Sequence, residues 1–202
     1  MKRLITAILI ILLVLAVGCK EGKNKIIVKE KTKEVSQVEV INKENDNEDN
    51  LNEELEANPV EGVKLETLKA KSLEGNEINE DIFKESKLTV LNLWGTFCSP
   101  CIEEMPVFEK VSNEFKDKGV KIIGVVTDKE QDLAKEILDK GEINYLNIIP
   151  DDELSEKIVK KFDYVPVTLF VDENGVIKKA FIPGSTDEDY LKSMINTMLN
   201  DK

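Results

Sequence analysis

Leu88-Thr89-Val90-Leu91-Asn92-Leu93-Trp94 is a mostly apolar run bounded by polar residues. It lacks the strict alternation of a half-exposed strand, so it reads as a strand buried on both faces. Such a strand needs neighbours on either side and a covering layer above and below. The residues around it supply both. Val107, Phe108, Val111 and Phe115 recur at helical spacing until Gly119, and Val120 to Val126 is a second buried strand. Gln131 to Lys140 places Leu133, Ile137 and Leu138 on one helical stripe closed by Gly141. Tyr145 to Ile149 reads as a short strand, and Asp151 or Asp152 caps a helix with Leu154, Ile158, Val159 and Phe162 inward.

Val167 to Val171 and Val176 to Ile182 are strands joined by Asp172-Glu173-Asn174-Gly175, a tight hairpin signal. Thr186 or Asp187 caps a last helix carrying Tyr190, Leu191, Met194, Ile195 and Met198. Near the start, Val63 to Leu68 and Asn76 to Ile78 flank the turn Glu74-Gly75-Asn76, which predicts an amino-terminal hairpin. Alternating strands and helices imply parallel neighbours joined by right-handed crossovers, and the late hairpin adds antiparallel edge strands. The expected fold is a three-layer α/β sandwich, a mixed central sheet with helices on both faces.

This pattern occupies residues 62–202 only. Lys2 and Arg3 precede an apolar run from Leu4 to Val17, broken by Thr6 and closed by Gly18-Cys19. The run is short for a ~30 Å hydrocarbon core and has the size of a signal-peptide apolar region. Leu15-Ala16-Val17-Gly18-Cys19 resembles the lipobox of bacterial lipoproteins, in which the cysteine sulfur receives a diacylglyceryl group and the chain is cut before it. Ala16 stands where leucine is commonest. An ordinary signal peptide or a short membrane anchor is the alternative for residues 1–18, and each reading places the remainder outside the cytoplasm. Residues 19–61 form the expected tether. From Lys20 to Val60 there are eleven acids, seven lysines, seven asparagines and no aromatic residue. Such a segment buries too little apolar area to offset its chain entropy.

Charge narrows the function. Forty acids against 28 bases give a net charge of −12, which argues against nucleic-acid binding. The absence of histidine removes Ser-His and Cys-His nucleophile pairs and every imidazole metal ligand. Acid–base work near neutrality must fall to a perturbed carboxylate, lysine or thiol.

Cys98-Ser99-Pro100-Cys101 lies between the buried strand and the first long helix. A sulfur at the helix start faces unpaired backbone N–H groups and the positive end of the helix dipole, which favour a thiolate. Cys101, one turn further in, is placed to attack a mixed disulfide formed at Cys98. Pro100 suits the first turn, where its missing N–H costs nothing. Two rivals stand beside this reading. Structural zinc needs about four Cys or His ligands, and two thiols remain if Cys19 is lipidated. A static disulfide over so short a loop would restrict the unfolded chain little.

With Trp94 and the strand–helix context, the segment resembles the thioredoxin superfamily, and within it the membrane-tethered TlpA/ResA type. The resemblance rests on Trp94-Gly95-Thr96-Phe97-Cys98-Ser99-Pro100-Cys101, on Glu104 and Pro106, and on Val165-Pro166-Val167-Thr168 with the strand and turn after it. It implies a cis Pro166 facing the cysteine pair, with the Val165 backbone beside an extended substrate segment. It also implies that Glu104, on the Cys101 face of the helix, takes the Cys101 proton from a buried site with a raised pKa. Asn92 occupies the place of the buried aspartate of cytoplasmic thioredoxins, which leaves Glu104 as the proton acceptor. Trp94 is expected either to border the substrate or to sit in the core, and Pro106 to kink or restart its helix.

The activity so implied is thiol–disulfide exchange at the extracytoplasmic membrane face, with Cys98 attacking and Cys101 resolving. The pair itself would be the redox centre, with no further cofactor and no metal. Implied partners are a CcdA/DsbD-type electron donor and a disulfide-bonded protein such as apocytochrome c, a methionine sulfoxide reductase or another secreted protein. The missing histidine excludes the Pro-His pair of DsbA-like oxidants and favours a reductase. Two alternatives remain open. A peroxiredoxin-like peroxidase also uses a thiolate at a strand–helix turn, although a Pro-x-x-x-Thr-x-x-Cys arrangement is absent before Cys98. A Cu(I) chaperone would draw on Cys98, Cys101 and Met105.

Overall fold

A computed structural model describes residues 57–201. The leader, Cys19 and residues 20–56 of the expected tether lie outside the described residues. The chain runs β1 (Lys69–Ser72), β2 (Glu77–Asn79), α1 (Asp81–Lys84), β3 (Leu88–Trp94), α2 (Ser99–Phe115), β4 (Val120–Val126) and α3 (Gln131–Lys140). It continues through β5 (Leu146–Pro150), α4 (Asp152–Lys157), β6 (Val167–Asp172), β7 (Ile177–Pro183) and α5 (Glu188–Asn200). The strands form one mixed sheet in the order β2-β1-β5-β4-β3-β6-β7. Among the described residues no helix is long and apolar enough to cross a membrane.

All seven residues of β3 are buried, as its apolar run requires. It is parallel to β4 on one side and antiparallel to β6 on the other. Alternation of side chains sorts the core into two layers. Leu88, Val90 and Trp94 pack with Met105, Phe108, Ala134 and Ile195 under α2, α3 and α5. Leu91 and Leu93 pack on the opposite face with Phe83, Leu154 and Ile158. The β3-α2-β4 and β4-α3-β5 crossovers step the same way across the sheet, so right-handed connections put α2 and α3 on one face. This is the three-layer sandwich expected, with the β1–β2 hairpin added beside β5.

Several local expectations are corrected. Val63 to Leu68 is not a strand. Leu65 and Leu68 are both buried, a spacing of three that a strand cannot turn to one face, and the hairpin forms instead over β1 and β2. The late hairpin supplies only one edge strand, β7, because β6 inserts beside β3. Leu133 is exposed, and α3 buries Ala134 in its place beside the expected Leu138. Tyr190 is half exposed, while α5 buries Leu191, Ile195 and Met198. Helix α2 runs unbroken from Ser99 to Phe115 through Pro106. Pro106 is exposed, so water can reach the carbonyl one turn back, and the buried face around it holds the helix together. The domain also begins before Gly62. Val60 is fully buried and Asn58 Nδ2 donates to the Lys178 carbonyl at 2.9 Å. A lone valine in a polar run has no periodicity to betray it.

One backbone contact anchors the sheet behind the cysteine pair. Gly124 of β4 lies beside Asn92 in the register, under the hydrogen bond from Trp94 Nε1 to Asn147 Oδ1 of 2.9 Å. A Cβ at Gly124 would sit 1.9 Å from that oxygen and 3.0 Å from the indole nitrogen. Gly124→Ala should therefore lower the thermal midpoint by about 5–10 °C, as expected for an overpacked core that breaks a buried hydrogen bond. An unchanged midpoint in a calorimetric scan would show that the sheet relaxes around the methyl group.

Candidate active site

The site sits where β3 ends and α2 begins. The intervening loop is tied to the neighbouring strand. Thr127 N–H and Oγ1–H both donate to the Trp94 carbonyl, and Asp128 Oδ2 accepts from Thr96 N–H at 2.6 Å. Cys98 then caps α2 through its sulfur, which accepts from the Cys101 N–H at 3.2 Å. Pro100 occupies the first turn, and no acidic residue there opposes the positive helix end. Cys98 and Cys101 form a disulfide with an S–S distance of 2.04 Å.

The two sulfurs are not equivalent. Cys98 keeps 6% of its surface exposed and Cys101 none. Cys98 Sγ lies 3.7 Å from the Val165 carbonyl oxygen, and the Val165–Pro166 peptide bond is cis. Gly184 N–H donates to the Pro166 carbonyl and fixes this turn to the end of β7. The structure thus brings Cys98, Cys101, Val165 and Pro166 together.

Glu104 is almost wholly buried, one turn beyond Cys101 on the inner face of α2. Its Oε1 accepts from Asn92 Nδ2 at 3.0 Å and its Oε2 from Thr186 N–H at 2.9 Å. Burial pushes its carboxyl up to about 7, against the pull of these two bonds, which favour the charged form. Glu103, by contrast, is exposed. Tyr145 is buried nearby, and burial together with the charges of Glu104 and Glu109 raises its hydroxyl far above the usual range.

Trp94 does not border a substrate surface. It is fully buried, with its indole N–H spent on Asn147, because the last residue of β3 points into the covered face where Gly124 leaves room. The most exposed aromatic at the site is Phe97, at 73% exposure beside Cys98. Sequence reading passed over it as ordinary apolar content, although its place just before the first cysteine was a signal. Asp128 was also missed. Its position directly after a parallel strand adjoining the catalytic one marks the same end of the sheet. Met105, a candidate thioether ligand, is 1% exposed in the core. Among the described residues no group of three or more Cys, Asp or Glu side chains is placed to hold a metal ion.

Residues 62–180, more than half of the chain, match the model of the AhpC/TSA family. The chain belongs to the AhpC/TSA family. The chain is 32% identical over 113 residues to the thiol-disulfide oxidoreductase ResA of Oceanobacillus iheyensis, 55% of this chain and 57% of that protein. It is 33% identical over 104 residues to ResA of Halalkalibacterium halodurans, covering 52% and 58% respectively. The chain thus spans somewhat over half the length of these curated relatives. Among solved structures, the fold is similar to a thioredoxin-family thiol:disulfide interchange protein from Chlorobium tepidum TLS, with a TM-score of 0.60 at 18% identity, over 68% of this chain and 97% of that one. It is also similar to StoA from Bacillus subtilis, with a TM-score of 0.52 at 21% identity, over 63% and 94%. The AhpC/TSA domain therefore has the thioredoxin-like fold.

Proposed function

We propose that the protein is a thiol–disulfide oxidoreductase that reduces disulfides in proteins. The observation that carries this reading is the Cys98–Cys101 disulfide at the start of α2, with only Cys98 reaching solvent beside the cis Val165–Pro166 turn. In the reduced enzyme the Cys98 thiolate attacks one sulfur of a substrate disulfide and expels the other as a thiolate. Glu104 takes the proton from the Cys101 thiol. Cys101 then attacks Cys98 Sγ, which closes the pair and releases the second substrate sulfur. Two electrons pass to the substrate, and the pair needs two from a donor before the next cycle. The pair is itself the redox centre, so the cycle calls for no other cofactor. The backbone at Val165, before Pro166, would pair with an extended segment of the substrate beside Cys98, and the exposed Phe97 would offer it an apolar contact.

The naming of relatives as thiol-disulfide oxidoreductases supports this activity. The lipobox-like segment ending at Cys19 supports a lipid tether on the extracytoplasmic face. There the electrons would come from a CcdA/DsbD-like membrane carrier. The acceptor would be oxidised apocytochrome c, a methionine sulfoxide reductase or another secreted protein.

Equilibration with dithiothreitol buffers tests the reading. The pair should open with a midpoint below about −230 mV, in the range of reducing thioredoxins. A midpoint near −120 mV would make the protein an oxidant, and a pair that stays closed against excess dithiol would make it a structural staple.

A further inference from the structure

Behind Glu104 lies a buried polar pair that the exchange cycle does not use. Asn92 of β3 stands directly opposite Thr168 of β6 in the antiparallel register, and both side chains are fully buried. Opposed residues present their side chains to the same face, with Cβ atoms about 5 Å apart. Asn92 spends Nδ2 on Glu104 Oε1. Its Oδ1 has no protein partner among the described residues, and neither has Thr168 Oγ1. Two unsatisfied oxygens on one opposed residue pair are an expensive arrangement for a packed core unless each serves the other.

The two ends of an asparagine amide are nearly equal in size, so only their partners decide which end faces Glu104. An Nδ2–H there supports a carboxylate, whereas Oδ1 there would repel it. The opposed positions put the Thr168 hydroxyl within reach of Asn92 Oδ1, by one χ1 rotation or through one bridging water. We propose that Thr168 is a positioning residue: its hydroxyl holds Asn92 Oδ1 and so keeps the amide donor turned toward Glu104. This rests on the reading of Glu104 as the group that takes the Cys101 proton.

Of the other groups around Glu104, the Tyr145 hydroxyl is also without a protein partner among the described residues, and it is Thr168 that stands opposite Asn92 in the register. Cys101 precedes Glu104 on α2, the backbone N–H of Thr186 meets it from the turn before α5, and the buried Tyr145 hydroxyl feels its charge from the β5 side. Among the described residues no lysine, arginine or second carboxylate contributes to its shift. The orientation of Asn92 is therefore the adjustable part of its surroundings.

The test compares Thr168→Val, which keeps the shape and removes the hydroxyl, with Thr168→Ser, which restores it. Carbon-13 NMR of the Glu104 side-chain carboxyl reads the titration in the oxidised protein. The valine variant should titrate about 0.5–1 pH unit higher than the parent, because a hydrogen bond to the charged form is lost, and the serine variant close to the parent. The valine variant's thermal midpoint should fall by a few degrees, because Asn92 Oδ1 is left buried without a donor, and the serine variant should recover most of that loss. A valine variant that titrates like the parent overturns the proposal, whatever the kinetics. The pH profile of mixed-disulfide resolution at Cys98 separates the two readings. If the carboxyl shifts and the resolution profile does not follow, Thr168 positions Glu104, but Glu104 is not the proton acceptor.

Discussion

Replacing Cys101 by serine should leave Cys98 joined to its substrate after a single attack. Cys98 is the sulfur with exposed surface and lies against the Val165 carbonyl, whereas Cys101 is enclosed. Without the Cys101 thiol, no second cysteine remains among the described residues to resolve the mixed disulfide. The variant should fold. A disulfide closing a loop with a sequence separation of 3 contributes only about 2 kcal/mol by loop entropy. Non-reducing electrophoresis followed by mass spectrometry should show a stoichiometric adduct at Cys98 and no turnover. Cys98→Ser should give neither adduct nor turnover. Adducts recovered on Cys101 in that second variant would reverse the assigned roles.

Glu104→Gln should move activity and stability in opposite directions. A buried general base contributes about a hundredfold or more, so resolution of the mixed disulfide should slow by that factor near neutral pH. Stability follows from the carboxyl raised from 4.5 to about 7. Between those values the folded protein keeps a proton that the unfolded chain releases. Stability from this group is therefore complete below about pH 4.5 and is lost as pH rises through 7, by about 3 kcal/mol. Glutamine escapes that loss. It does leave one of the two donors, Asn92 Nδ2–H or Thr186 N–H, facing an amide nitrogen, at a cost of about 1 kcal/mol. The oxidised variant should thus exceed the parent by about 1–2 kcal/mol at pH 8 and match or fall below it at pH 5. Urea unfolding at both pH values decides the matter. Parallel pH dependence in the two proteins would show that Glu104 does not titrate in this window.

What could be read from residue order alone follows from where information about contacts is local. β3 and β4 announce themselves because a central strand is apolar on both faces, and α3 because its polar flanks and Gly141 punctuate it. The cysteine pair was legible for the same reason, since strand, sulfur and helix are contiguous. Glu104 was reachable through helical spacing from Cys101. The partners that shape its environment were harder to see. Asn92 precedes it by 12 residues and Thr186 follows it by 82, and only the packing of the sheet and the turn before α5 brings them together. Thr168 needs the β3–β6 register as well. Trp94 stayed open between a substrate border and the core, because an aromatic beside a reactive sulfur fits both. Its burial depends on the missing side chain at Gly124, one strand away.

The enclosure of Cys101 has a consequence for traffic through the protein. Any partner of the proposed exchange would have to reach the pair at Cys98, beside the exposed Phe97 and the Val165–Pro166 turn. The proposed donor and acceptor would therefore take turns at one doorway and never occupy it together. On the proposed cycle the protein would work as a ferry that must leave one bank before it docks at the other, with an excess of either passenger slowing the crossing of both.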